Sequence, residues 1–315
     1  MKNFLDINKV SKSSLKFIIE DANAMKKGRA ELLNGAPDHQ GFMENFIVGL
    51  LFEKPSTRTR VSFDVGIRQM GGKSMILSSD DLQLQNGESL SDTAKILSLY
   101  LDMLVIRTSD ESKLLELASN ATIPVINGLT NQSHPCQVMA DIMTFEELKG
   151  TIKGQKVVWV GDSNNVCTSY IHAAVQFQFN LSIASPVEFS PDNRLMEWAK
   201  NAGAKVEVLT DVKKAVKGAD LVVTSMAGKS SARRKQLEED NLRADENKAQ
   251  LINAKKAELA MEQGTLEEIQ DIPPTIVPQL IAPEELTTEP SVEVVMTPQE
   301  QFAVVDITNP EAPAQ

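Results

Sequence analysis

Cysteine is nearly absent from this chain. Cys136 and Cys167 are the only two in 315 residues, and neither sits at the spacing of a metal-ligand or redox pair, so neither a metal site nor a disulfide framework is expected. Long apolar runs are also missing; none approaches the roughly 18 residues that a membrane span needs. The opening Met1-Lys2-Asn3-Phe4-Leu5-Asp6 lacks the apolar core of a secretion signal, and a cytoplasmic protein is expected. Basic charge is in deficit, with 32 Lys and Arg against 43 Asp and Glu and a net charge of −11. Residues 271–315 hold eight of the acidic residues and no Lys or Arg, so the rest is nearly neutral. No basic stripe of the kind that binds nucleic acid is present.

At 315 residues with 42% hydrophobic content, the chain is long enough for two cores. From residue 11 to about 224, amphipathic helical patterns alternate with short apolar runs. Helices are expected over 12–32, 57–71, 90–101, 136–148, 165–178, 191–202 and 211–217. A first strand is expected over 46–52, and further runs end near Leu77, Ile106, Asn127, Val160, Ala184, Leu209 and Val223. This alternation implies an α/β fold of two domains, each a parallel sheet flanked by helices, with ligands at the carboxyl ends of the strands. Glycines and polar residues from Lys149 to Lys156 mark a boundary. The expected division is 1–150, 151–228, a charged helical segment over 229–270, and an acidic tail over 271–315. That tail carries eight of the fourteen prolines and is expected to be disordered.

Three constellations carry chemistry, and each follows a strand. In Phe52-Glu53-Lys54-Pro55-Ser56-Thr57-Arg58-Thr59-Arg60, a buried-strand pattern runs straight into a helix start rich in hydroxyls and guanidinium groups. The free N–H groups and positive dipole end of such a turn favour an anion, so these residues suit a phosphate cradle; the plainer alternative is an ordinary helix cap. The second, Asn131-Gln132-Ser133-His134-Pro135-Cys136-Gln137, places Pro135 at a first helical position. Here His134 can offer an N–H to a carbonyl oxygen and Gln137 can read an amide, or both can simply serve the helix start. The third is Arg107, at the end of the run Met103-Leu104-Val105-Ile106.

In this order and spacing, Ser56-Thr57-Arg58-Thr59-Arg60, Arg107 and His134-Pro135-Cys136-Gln137 resemble the aspartate/ornithine carbamoyltransferase family. Cys136 between Pro135 and Gln137 resembles the ornithine branch, as do Asn127-Gly128-Leu129-Thr130 and Gly161-Asp162-Ser163-Asn164-Asn165. The likeness runs over about residues 3–226. It implies transfer of a carbamoyl group from carbamoyl phosphate to the side-chain amine of ornithine, giving citrulline and phosphate, with no metal or organic cofactor. Under it, residues 1–150 bind carbamoyl phosphate and residues 151–228 bind the amino acid. Ser56, Thr57, Arg58, Thr59 and Arg107 hold the phosphate. His134 and Arg58 polarise the carbamoyl oxygen, Gln137 holds the carbamoyl nitrogen, and Asn165 meets the amino acid. A homotrimer is implied, with Gln83 donated to the neighbouring site.

The likeness weakens towards the carboxyl end. Where the family has an Asp-x-Trp-x-Ser-Met-Gly loop, this chain reads Thr224-Ser225-Met226-Ala227-Gly228, retaining Ser225 and Met226 without the Asp and Trp. The later His-Cys-Leu-Pro motif is absent. Two further readings therefore stand beside the leading one: a protein that binds carbamoyl phosphate without catalysis, and a transferase for another amine. A nicotinamide cofactor is not expected, because the Gly161–Asn165 turn lacks the glycines that admit a dinucleotide's pyrophosphate.

Overall fold

A computed structural model describes residues 2–78 and 88–224. The expected site residues Gln83, Ser225 and Met226, and the segments 229–270 and 271–315, lie outside the described residues.

The first sheet is built from β1 (Ile47–Phe52), β2 (Lys73–Ser78), β3 (Met103–Arg107) and β4 (Val125–Leu129), all parallel, in the order β2-β1-β3-β4. Its helices are α1 (Lys12–Gly28), α2 (Thr57–Gln69), α3 (Leu90–Tyr100), α4 (Glu111–Asn120) and α5 (Pro135–Lys149). The second sheet has β5 (Lys156–Val160), β6 (Asn180–Ala184), β7 (Val206–Leu209) and β8 (Leu221–Thr224), again all parallel, in the order β7-β6-β5-β8. It carries α6 (Asn165–Phe177), α7 (Asn193–Asn201) and α8 (Val212–Val216).

Strand burial follows position in the sheets. Central β1 is apolar throughout, because helices cover it on both faces. Leu51 joins Leu104, Ile106, Leu114, Leu117 and Val125 in one buried cluster, while Val48, Leu50 and Phe52 pack with Ile67 and Val105 in another. Edge strand β2 is largely exposed. The chain leaves the carboxyl ends of β1 and β3 in opposite directions along the sheet, so a crevice opens between these neighbouring strands, where ligands of open α/β sheets bind.

Two elements depart from the sequence expectations. Helix α1 stops at Gly28 rather than at residue 32, because the Arg29 guanidinium turns back to donate to the Ala36 carbonyl and to pair with Asp38. Helix α4 was not anticipated. Its signals were present in a short form: the Asp110 carboxylate caps the Ser112 N–H, and Leu114, Leu117 and Ala118 recur on one buried face.

Between the sheets, residues 150–155 turn through Gly150 and Gly154, at φ of 80° and 79°, which a residue with a Cβ adopts only with strain. The largest core cluster crosses this boundary. Ile7, Leu15 and Ile19 from the start of the chain, and Val138, Ile142 and Phe145 from α5, join Val157, Trp159, Tyr170 and Ile183 of the second sheet and its helices. Among the described residues no helix is long and apolar enough to cross a membrane.

Candidate active site

Six of the eight α-helices among the described residues begin with a side chain that accepts from the first-turn N–H groups: Ser11, Ser89, Asp110, Asn164, Asp192 and Asp211. The remaining two, α2 and α5, begin at Ser56 and His134, and neither residue makes a cap bond. Ordinary capping therefore does not explain either motif. The unsatisfied N–H groups of both helices stay available, and they lie beyond the carboxyl ends of β1 and β4.

Cationic charge gathers beside them. Arg107 ends β3 opposite Phe52 of β1, and its Nη1 donates to Thr59 Oγ1 of α2 at 2.8 Å. Burial lowers its pKa, and the neighbouring Arg58 guanidinium lowers it further. Among the described residues no carboxylate forms an ion pair with Arg58 or Arg107. The adjacent acid, Glu53, is held elsewhere: Lys113 pairs with it at 2.8 Å and the Thr108 hydroxyl donates to it at 2.5 Å. Arg107 Nε is buried and has no hydrogen-bond partner among the described residues. Two close guanidinium groups that no carboxylate among the described residues neutralises make a site that is stabilised when an anion enters.

His134 belongs to the same cluster. Burial, then the charges of Arg107 and Arg58, bring its pKa down from 6.5 to about 4, so the imidazole is neutral at pH 7. Its backbone N–H donates to Ser169 Oγ of α6 at 2.8 Å, while its buried Nδ1 has no partner among the described residues. A neutral imidazole beside two guanidinium groups is a hydrogen-bond donor suited to an oxygen on which negative charge develops.

Gln137, on the first turn of α5, donates through Nε2 to Asp141 Oδ1 at 2.8 Å, and Tyr170 Oη donates to Asp141 Oδ2 at 2.9 Å. Cys136 is spent on structure: its thiol donates to the Asn127 carbonyl at 3.3 Å, and burial pushes it up to about 12. Asn165 is the first residue of α6, and the preceding Asn164 is its cap. The Asn165 amide instead reaches the Thr130 carbonyl at 2.7 Å, tying the turn after β5 to the loop after β4.

The structure thus brings together Thr59, Arg58, Arg107 and His134, with Ser56 and Thr57 at the head of α2 and Gln137 one turn into α5. Sequence reasoning missed Ser169, Asp141 and Tyr170. For Asp141 a signal existed, its four-residue spacing from Gln137 on one helix face; for Ser169 and Tyr170 no local motif points to the contact.

Two family models match, together over most of the chain. Residues 2–147 match the aspartate/ornithine carbamoyltransferase carbamoyl-P binding domain, and residues 153–262 match the Asp/Orn binding domain. The chain belongs to the aspartate/ornithine carbamoyltransferase family. Within the family it is 54% identical over 223 residues to the ornithine carbamoyltransferase of Ruegeria pomeroyi, covering 71% of this chain and 72% of that one. It is 45% identical over 262 residues to that of Nitrobacter winogradskyi, covering 82% of each. The solved ornithine carbamoyltransferase of Pyrococcus furiosus is 39% identical and superposes with a TM-score of 0.67 over 75% of this chain and 76% of that one. The match to the second family domain extends 36 residues beyond Met226, where the motif likeness ends.

Proposed function

We propose that this chain transfers the carbamoyl group of carbamoyl phosphate to the side-chain amine of ornithine, giving citrulline and phosphate. Family membership supports the substrate pair, since the relatives are named ornithine carbamoyltransferase. The observation that carries the reading is the meeting of Arg58, Arg107 and His134, with no carboxylate among the described residues paired to either guanidinium, beyond the uncapped start of α2.

In this reading residues 1–150 bind the donor and residues 151–228 the acceptor. Ser56, Thr57, Thr59 and the first-turn N–H groups of α2 take the phosphate together with Arg58 and Arg107. These contacts hold ground and transition states alike and position the donor. Attack by the amine builds negative charge on the carbamoyl oxygen, which His134 and Arg58 stabilise by donation. The carbamoyl nitrogen meets Gln137. As the tetrahedral centre collapses, the carbon–oxygen bond to phosphate breaks and phosphate leaves into the same cationic cradle. Carbamoyl phosphate is already activated, so the transfer calls for no cofactor. Asn165, Ser225 and Met226 serve the amino acid, and a homotrimer brings Gln83 from a neighbouring subunit. The reaction is placed in the cytoplasm.

An alkyl amine has a reference pKa of about 10.4, so the free nucleophile is scarce at pH 7 and the rate rises with pH. The loss of the family's Asp and Trp before Ser225 bears on the acceptor side alone. The decisive experiment measures citrulline formation by the purified chain beside Arg58→Ala, with aspartate, putrescine and acetylornithine as alternative amines. Citrulline production that disappears in the variant is expected. Donor binding without any product would overturn the reading in favour of a non-catalytic carbamoyl phosphate-binding protein.

A further inference from the structure

We propose that Asp141 is a positioning residue which, held by Tyr170, fixes the end of the Gln137 side-chain amide that faces the donor cleft and so selects a carbamoyl group over an acyl group of the same shape. The proposal rests on the reading that Gln137 meets the carbamoyl nitrogen.

The argument starts from what a carboxylate can do. It accepts hydrogen bonds and donates none, so the amide end that meets Asp141 Oδ1 at 2.8 Å must be Nε2. The reverse orientation would set Gln137 Oε1 against a carboxylate oxygen, two acceptors in contact. With Nε2 committed to Asp141, Oε1 is left to accept from an N–H outside the helix. That is the complement of the amino group of carbamoyl phosphate. It offers nothing to the methyl group of acetyl phosphate.

Asp141 is fixed in turn from the second sheet. Its Oδ2 accepts from Tyr170 Oη at 2.9 Å, and Tyr170 is wholly buried on α6, with its ring 5.9 Å from that of Trp159. Both carboxylate oxygens therefore have a donor, and neither can rotate away without leaving one unmet. Gln137, Asp141 and Tyr170 form a chain from the head of α5 to the helix that follows β5, so the donor pocket's selectivity depends on a hydroxyl of the second domain.

The test uses the full chain and titration calorimetry with carbamoyl phosphate, acetyl phosphate and inorganic phosphate, on wild type, Asp141→Leu, Asp141→Asn, Tyr170→Phe, Gln137→Ala and the Gln137→Ala, Asp141→Leu double variant. Asp141→Leu should weaken carbamoyl phosphate by about 10- to 100-fold, because a site that pairs a polar group discriminates strongly against its loss. Acetyl phosphate and inorganic phosphate should bind within about twofold of wild type. In the Gln137→Ala background the Asp141 change should add less than about twofold, the mark of a residue acting through another. Tyr170→Phe should act in the same direction and less strongly. Equal weakening of all three ligands, or additive effects in the double variant, would overturn the proposal. Should Asp141→Leu fail to fold, Asp141→Asn carries the test: its amide satisfies either orientation of Gln137, and carbamoyl phosphate alone should weaken, with unchanged binding counting against the idea. Binding is read apart from turnover, so a wild type that discriminates among the ligands yet forms no citrulline overturns the proposed reaction and leaves this inference standing.

Discussion

Arg107 donates to Thr59 at 2.8 Å across 48 positions of sequence, and this one bond ties the end of β3 to the first turn of α2. It fixes a half-buried guanidinium that no carboxylate among the described residues holds in an ion pair. Thr59→Val keeps the shape and removes the acceptor. The expected outcome is a rise of about tenfold in the KM for carbamoyl phosphate, with kcat changed much less, because a bond to a charged group contributes about 1.5 kcal/mol or more. Steady-state kinetics at saturating ornithine checks it, and an unchanged KM would show that Arg107 is placed by other contacts.

His134 should behave as a neutral donor throughout the working range. With its pKa brought down to about 4, an NMR titration of its ring is expected to show no protonation between pH 8 and pH 5.5. His134→Ala should lower kcat by about 10²- to 10³-fold, the usual loss on removing one donor to a developing oxyanion. A ring that titrates near 6.5 would contradict the crowding by Arg107 and Arg58.

Acid stability should reflect two opposed groups. Burial raises Asp141 from 3.8 to about 6, so its ionised form opposes folding; that penalty is absent below pH 3.8 and grows as pH rises through 6. His134 is depressed from 6.5 to about 4, so its contribution is present above pH 6.5 and is lost as pH falls through 4. Each shift corresponds to about 3 kcal/mol. Over the shared window the two nearly cancel. Asp141→Asn should therefore raise stability at pH 7 and leave the variant more sensitive to acid than wild type. Urea midpoints at pH 7 and pH 4.5 measure both effects, and parallel curves for the two proteins would refute the assignment.

Both thiols should be inert in the folded protein. Burial pushes Cys136 and Cys167 up to about 12, so almost no thiolate exists at pH 8. Native protein is expected to show no rapid reaction with a thiol reagent, and denatured protein to show two thiols. A fast-reacting thiol in the native state would contradict the burial of this region.

The sequence exposed those parts of the molecule whose signal is local. The apolar runs gave the strands because a sheet covered on both faces needs such runs, and Pro135 marked the start of α5 because proline loses nothing at a first helical position. Ser56 and His134 were legible as site residues because they sit where a cap belongs. That they do not cap could be seen only in three dimensions. Helix α4 escaped because its apolar face is short, resting on Leu114, Leu117 and Ala118 alone. Tyr170 and Ser169 escaped for a different reason: their partners Asp141 and His134 lie 29 and 35 positions away on another element, and no periodicity encodes such a pairing.

Residues 7–10 sit beside helix α6, which belongs to the second sheet. Gln176 donates to the carbonyls of Ile7 and Val10, 169 and 166 positions upstream, and Ile7 is wholly buried in the cluster that includes Trp159 and Tyr170. On the ribosome Ile7 and Val10 therefore wait for Gln176, 169 and 166 positions later, before this native partner exists. At about 5–20 residues per second that wait lasts on the order of ten seconds or more. Ile7 spends that interval without its native cover, and elements made much later in the described fold complete its burial.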